Sequence, residues 1–160
     1  MPNNFAFIDG QNLHLGITQL GWKLGLRRFR VYLKDRYSVR RAYYFVGRIP
    51  ENEPLYTALE DAGYLLVFKQ VTYRTDGKPK GNVDAELALQ TMIEYPNYDR
   101  AVVVTSDGDF ACLVRYLYDQ HKLERVLSPD AQHCSALLKQ AARERIDFLA
   151  GARTKIEYKR

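Results

Sequence analysis

Uninterrupted apolar runs alternate along the chain with segments in which apolar residues recur at helical spacing. Each uninterrupted run, bounded by turn residues, predicts a buried strand. The clearest is Ala-Val-Val-Val-Thr at 101–105, and the others lie at 5–8, 39–46, 64–71 and 125–127. The helical spacing predicts helices between these strands, at 11–17, 26–37, 55–62, 82–94, 109–121 and 135–149.

Strands that alternate with helices predict an α/β fold with three layers, α/β/α, around a mainly parallel central sheet. The 160 residues suit one domain, predicted to cover 1–150, and the basic tail 151–160 is expected to fray. Ligands of open parallel sheets bind beyond the carboxyl ends of the strands. The residues directly after each predicted strand are therefore the candidates for a functional site.

Aspartates follow two of the predicted strands directly. Asp9 comes after 5–8, and Asp107 and Asp109 come after 101–105. The carboxyl ends of parallel strands share one edge of a sheet, so these carboxylates converge if the two strands are neighbours. Asp84, near the start of the helix at 82–94, is a third candidate position.

The helix at 82–94 has an apolar side, which is expected to face the core, and a polar side expected to face solvent. Asp84 lies on the border between them, near Thr91, from where its side chain is expected to reach the sheet edge. The apolar side consists of Ala85, Ala88, Leu89, Met92 and Ile93, and the polar side of Glu86, Gln90 and Glu94.

Clustered carboxylates repel one another, so they must protonate, separate or bind a cation. Hard oxygen ligands without cysteine or histidine favour Mg²⁺ or Mn²⁺ over zinc. Such a site is typical of metal-assisted phosphodiester hydrolysis. Taken singly, each aspartate has a local alternative, because turns and first helical turns also favour acids. Local capping, however, predicts no relation between the three positions.

Several neighbours of these acids have two open interpretations. Asn12 either holds a metal-bound water or substrate phosphate, or caps the short helix after Asp9. Ser106, like Thr105, either orients a metal ligand or phosphate, or caps. Lys80 either contacts the scissile phosphate or is a solvated loop lysine.

The charge distribution is compatible with RNA as the partner. The net charge is +5, with a sequence pI near 9.2, and phosphate contacts would make binding sensitive to salt. Candidate contacts, for which ordinary surface charge is the alternative, are the stripe Arg27, Arg30 and Lys34 and the loop residues Arg74, Lys78 and Lys80. Candidate residues for base stacking are Tyr43, Tyr44 and Tyr73, with strand packing as the alternative for Tyr43 and Tyr44.

The lack of a targeting signal in this sequence and the pattern of its cysteines favour a cytoplasmic protein. No apolar run is long enough for a membrane span, and the N-terminus has no secretory pattern. Cys112 and Cys134 form no zinc-like or redox pair, so a reducing compartment is expected. Cys112 lies in the apolar run 110–114 and is expected to be a buried thiol.

Three blocks resemble the NYN family of PIN-like ribonucleases: 7–12 (Phe-Ile-Asp-Gly-Gln-Asn), 80–84 (Lys-Gly-Asn-Val-Asp) and 104–110 (Val-Thr-Ser-Asp-Gly-Asp-Phe). The resemblance implies a PIN-like Rossmannoid fold and divalent-metal ribonuclease activity. It also implies that Asn12 and Lys80 match recurring family positions. The acids that match the family's catalytic and metal-binding site are Asp9, Asp84, Asp107 and Asp109.

The expected function is therefore a metal-dependent endoribonuclease in RNA processing or decay, whose target is chosen by the domain itself, a homo-oligomer or a protein partner. The alternative is a non-catalytic RNA-binding or regulatory module that keeps the PIN-like fold. A phosphatase or receiver domain, with a phosphorylated strand-end aspartate, is a third hypothesis. The absence of an Asp-x-Asp pair after the first strand disfavours it.

Overall fold

A computed structural model describes residues 1–77, 79–80 and 82–160, excluding the side chains of Pro79 and Lys80. The strands are β1 (Asn4–Asp9), β2 (Val39–Arg48), β3 (Leu65–Gln70), β4 (Thr72–Tyr73), β5 (Pro79–Lys80), β6 (Ala101–Val104), β7 (Leu123–Ser128) and β8 (Ile146–Phe148). The helices are α1 (Gly10–Gln19), α2 (Leu26–Tyr37), α3 (Glu53–Asp61), α4 (Asp84–Ile93), α5 (Ala111–Asp119), α6 (Ala136–Ala142) and α7 (Arg153–Ile156).

Six strands form the central sheet, in the order β3-β2-β1-β6-β7-β8, and every neighbouring pair is parallel. Because side chains alternate across a strand, β1 directs Phe7 to one face of the sheet and Ile8 to the other. Leu87 of α4 and Val114 of α5 pack on the Phe7 face, and Leu33 of α2 packs on the Ile8 face. The predicted three-layer α/β/α fold is thereby confirmed.

The prediction of one helix over 135–149 is wrong in its second half. Arg143 has a positive φ of 54° directly after α6, which ends the helix. The chain then pairs as β8 with β7, where the N–H of Val126 donates to the carbonyl of Arg145 at 2.8 Å. The helical pattern fails here because the open edge of β7 offers backbone partners that a local pattern does not reveal.

The C-terminal segment is packed, in contrast to the expected fraying. Ile156 of α7 is fully buried in the core beneath α2, and its carbonyl accepts from the N–H of Gly25 at 2.8 Å. Tyr158 donates its N–H to the carbonyl of Lys23 at 2.7 Å. A buried apolar anchor and paired backbone groups hold this basic segment in place.

Helix α4 buries a different side from the predicted one. Leu87 and Thr91 are fully buried, whereas Leu89 and Ile93 of the apolar side are 61% and 54% exposed. The Thr91 hydroxyl donates to the Leu87 carbonyl at 2.8 Å, so its burial leaves no unpaired polar group. This rotation places Asp84 on the inward side with Thr91.

Within the described residues, no helix combines the length and the apolar composition that crossing a membrane requires.

Candidate metal centre

Three aspartates from separate elements meet at one edge of the sheet. Asp9 ends β1, Asp107 follows the neighbouring strand β6, and Asp84 begins α4. One carboxylate oxygen of each lies within 4.8 Å of the others. The predicted convergence is therefore present, while the catalytic role of these residues stays a prediction.

Asp9 is held by hydrogen bonds to both of its oxygens. Oδ1 accepts from the N–H of Asn12 at 3.4 Å, and Oδ2 accepts from the Thr105 hydroxyl at 3.3 Å. Thr105 is fully buried, and its Oγ1 accepts from the N–H of Asp107 at 3.2 Å. Thr105 therefore connects the two acids at the ends of β1 and β6.

The electrostatics of the cluster are unfavourable without a cation. Burial raises the pKa of Asp9 above its ordinary value, opposed by its bonds to Asn12 and Thr105 and assisted by the charge of Asp107. Burial, together with the charges of Asp107 and Asp9, raises the pKa of Asp84 to about 6. A bound cation would reverse this penalty, because it stabilises the ionised carboxylates.

Asp109 lies at the exposed rim of the cluster. Its N–H donates to Oδ1 of Asp107 at 2.9 Å, and Asp107 thereby caps the short helical turn Gly108–Phe110. Its carboxyl group lies close enough to Asp84 to raise the pKa of that residue further. Asp109 is thus adjacent to the three converging acids, without being one of the mutually close set.

Asn12 and Ser106 join α1 to the loop after β6. Oδ1 of Asn12 accepts from the N–H of Ser106 at 2.9 Å and from its hydroxyl at 3.0 Å. A backbone N–H can only donate, so the Asn12 atom that faces Ser106 is the carbonyl oxygen. Among the described residues nothing accepts from the amide hydrogens of Asn12, so both can donate to another partner.

Two glycines permit the close packing that fixes the acids. A β-carbon on Gly10 would lie 2.4 Å from Cε1 of Tyr44 and 2.8 Å from the Phe45 carbonyl. One on Gly108 would lie 2.4 Å from Oγ of Ser135. Sequence reasoning missed Tyr44 and Ser135 as supports, because these contacts depend on strand register and on the path of a distant loop.

An Asp–His pair follows β7 on the same edge of the sheet. Nδ1 of His133 lies 2.9 Å from Oδ2 of Asp130, and the Ser135 N–H in this loop donates to the Ser106 carbonyl at 3.1 Å. Sequence reasoning set the histidines aside. Because ligands bind beyond the carboxyl ends of parallel strands, the position of Asp130 just after β7 is the signal that could have found it.

The basic stripe is not brought to the acids. Arg27 donates to the Asp61 carbonyl at 3.3 Å, and Arg30 donates to the carbonyls of Gly63 (3.3 Å), Val39 (3.2 Å) and Arg40 (2.9 Å). Those carbonyls lie before or at the start of β2 and β3, whereas the acids lie at the carboxyl ends of β1 and β6. Lys34 is exposed on the same helix. Lys78 and the side chain of Lys80 lie outside the described residues.

The cluster has the chemistry of a divalent-metal site. Its converging donors are all carboxylate oxygens, the ligands that hard divalent cations take in proteins. Burial and the mutual repulsion of the carboxylates raise the pKa values of Asp9 and Asp84, a penalty that a bound cation would offset. A hard divalent ion fits both features.

Comparisons with known proteins identify the family of the chain and a solved structure that shares its fold. The family model described as NYN domain matches residues 5–149. The chain is 26% identical over 140 residues to the low amplitude and bright protein LabA of Synechococcus elongatus, covering 81% of this chain and 75% of that protein. A crystal structure of a Vibrio parahaemolyticus protein of unknown function superposes with a TM-score of 0.72 at 22% identity, covering 89% and 90% of the two chains. That likeness shows a shared fold.

Proposed function

Because the chain belongs to the NYN domain family, we propose that it is a divalent-metal-dependent ribonuclease that cuts within RNA chains during RNA processing or decay. The observation that carries the proposal is the meeting of Asp9, Asp84 and Asp107 within 4.8 Å at the ligand-binding edge of the sheet. Such a group of carboxylates is a typical ligand set for the Mg²⁺ or Mn²⁺ that assists phosphodiester hydrolysis.

The proposed ion is Mg²⁺ or Mn²⁺, held by Asp9, Asp84 and Asp107 with Asp109 at the rim. When bound, it supplies a Lewis acid that activates water and stabilises charge on the phosphate. Asn12 fits the role of a phosphate ligand, because Ser106 occupies its carbonyl oxygen and leaves its amide hydrogens to donate. Ser106 then acts by orienting Asn12.

RNA as substrate is supported by the net charge of +5. Among the predicted RNA contacts, Lys34 and the loop residue Arg74 are exposed, whereas Arg30 is engaged with three backbone carbonyls. Lys80 precedes Asp84 by four residues and stays a candidate for the scissile phosphate. Cytoplasmic location is part of the proposal, and the free thiols of Cys112 and Cys134 suit a reducing compartment. The prediction that Cys112 is buried is wrong, because this residue lies on the exposed side of α5.

Cleavage of labelled single-stranded and hairpin RNAs, with manganese and with EDTA, tests the proposal. Wild-type protein is expected to cut only with the metal, and Asp107→Asn is expected to abolish cutting while the protein stays folded. Asp119→Asn, at the exposed end of α5, removes the same charge elsewhere and is expected to cut normally. Equal cutting by wild type and Asp107→Asn would contradict the assignment, and salt-dependent binding without any cutting would favour the non-catalytic module.

A further inference from the structure

Tyr73 is an exposed aromatic residue on the two-stranded ribbon that β4 and β5 form. Its side chain lies on β4, which pairs antiparallel with β5, and it is 62% exposed. Tyr43 and Tyr44, the other two candidates for base stacking, are buried in the core. Of the three, therefore, only Tyr73 presents its ring to solvent.

The ring of Tyr73 has no aromatic or cationic partner among the described residues. The other largely exposed tyrosines do have such partners: Tyr116 lies 6.2 Å from the ring of Tyr95, and Tyr158 receives Lys23 over its ring at 4.5 Å. The exposed ring of Tyr73 therefore offers surface on which an external planar ligand can stack.

The ribbon lies beside the acid cluster. It follows β3, whose carboxyl end lies on the same sheet edge as Asp9, and β3 is two strands from β1, roughly 10 Å across the sheet. Tyr73 pairs directly with Pro79, which precedes Asp84 by five residues. At most about 17 Å of chain therefore separates the α-carbons of Pro79 and Asp84. A strand of a few nucleotides spans that distance.

The charges of the ribbon suit a phosphate backbone. Arg74 follows Tyr73 and forms an ion pair with Asp76 at 3.8 Å, with its side chain 60% exposed. Lys78 and Lys80 give this segment of the sequence an excess of positive charge. Cations that follow a backbone and an aromatic ring that receives a base are the two elements of single-strand recognition. The small size of the ribbon disfavours a protein partner, because two strands of two residues each offer far less surface than the roughly 800 Å² per partner of a specific protein interface.

We propose that Tyr73 stacks on a base of single-stranded RNA and holds the strand across the acid cluster. This inference rests on the proposed RNA substrate and specifies its class. A base within a duplex already stacks on both of its faces, so a duplex has no free base for Tyr73. The site therefore selects RNA whose bases are unpaired next to the cleaved bond.

Equilibrium binding tests this inference independently of cleavage. The affinity of a fluorescein-labelled oligoadenylate, and of its duplex with the complementary strand, is measured in EDTA for wild type, Tyr73→Phe, Tyr73→Ala and the control Tyr116→Ala. Tyr116 is 46% exposed and lies next to Tyr95, at the opposite end of α4 from Asp84. Tyr73→Ala is expected to weaken single-strand binding by about 5- to 150-fold, the range of one base–aromatic stack. Tyr73→Phe and Tyr116→Ala are expected to bind as wild type does.

A second measurement identifies the stacked base. In a series of oligoadenylates with one abasic nucleotide each, the penalty of Tyr73→Ala should disappear for one position of the abasic site. Unchanged affinity of Tyr73→Ala, equal loss for single strands and duplex, or no binding by wild type would each overturn the inference. Tyr73-dependent binding without metal-dependent cutting would contradict only the nuclease proposal, and cutting with Tyr73-independent binding would contradict only the stacking proposal.

Discussion

Ser106 and Asn12 are joined by two hydrogen bonds to a single atom, since Oδ1 of Asn12 accepts from both the N–H and the hydroxyl of Ser106. The loop that presents Asp107 is thereby tied to the helix after Asp9. This arrangement separates the two roles open to Asn12, because its carbonyl oxygen supports the loop and its amide hydrogens are left for a ligand.

Substitution of Asn12 distinguishes those roles. Asn12→Asp keeps an oxygen for Ser106 but replaces the amide donor with a negative charge, so we expect normal folding and at least about tenfold slower RNA cleavage. Asn12→Ala leaves the Ser106 N–H unpaired and should lower the free energy of unfolding by about 1–3 kcal/mol. Urea unfolding and single-turnover cleavage measure the two effects. Full activity of Asn12→Asp would show that its amide group contacts no phosphate.

Divalent metal should stabilise the protein through the acid cluster. An ion present at about 100 times its dissociation constant adds about 2.7 kcal/mol to the free energy of unfolding, which raises the Tm by roughly 5–10 °C for a chain of this size. Differential scanning fluorimetry at pH 7 with manganese, magnesium or EDTA measures the shift. Asp84→Asn should lose most of it, whereas Asp119→Asn should retain it. An equal shift in both variants would place the ion elsewhere.

The stability of the metal-free protein should depend on pH through Asp84. Its pKa is raised from 3.8 to about 6, so the native state binds this proton more tightly than the unfolded chain does. The free energy of unfolding then falls as pH rises from about 4 to about 6, and the loss is complete above that range. We expect about 1 kcal/mol from this group after solvent screening. Urea titrations in EDTA should show a flatter pH dependence for Asp84→Asn than for wild type, and parallel curves would contradict the assignment.

Gly10→Ala should disturb the support of Asp9. The added carbon would lie 2.8 Å from the Phe45 carbonyl and against the Tyr44 ring, so we expect a loss of about 1–3 kcal/mol in the free energy of unfolding, as for other overpacked positions. Gly151→Ala is the matched control, because nothing lies within 4 Å of its added carbon. Thermal unfolding of both variants tests this. Equal stability of the two would show that Tyr44 and Phe45 of β2 move aside without a loss of stability.

Substitutions of Arg30 and Lys34 should distinguish a structural role from an RNA-binding role within the basic stripe. Arg30→Ala leaves the carbonyls of Gly63, Val39 and Arg40 without their guanidinium donor, and we expect it to lower the free energy of unfolding by about 1–3 kcal/mol. Lys34→Ala should leave stability unchanged. Its effect on RNA affinity, and on the salt dependence of that affinity, tests whether the exposed part of the stripe contacts phosphate. A stable Arg30→Ala protein with weakened RNA binding would restore Arg30 to the RNA interface.

The convergence of Asp9 and Asp107 could be predicted because it depends only on strand ends and on parallel pairing. The buried side of α4 could not, because Thr91 is fully buried with its hydroxyl bonded within the helix, so a polar residue takes the place expected of an apolar one. Strand β8 was missed because its backbone partners belong to β7. The contacts of Gly10 with Tyr44, and of Gly108 with Ser135, arise from register and loop path, which no local pattern encodes.

The pairing of β1 with β6 also has a consequence for synthesis on the ribosome. Strands β1, β2 and β3 are neighbours in the sheet and emerge first, so this half can begin to fold while the rest of the chain is still being made. The cluster cannot form at that stage, because Asp107 comes far later in the sequence than Asp9. A nascent chain therefore carries no complete acid site until Asp107 has been made and β6 has paired with β1.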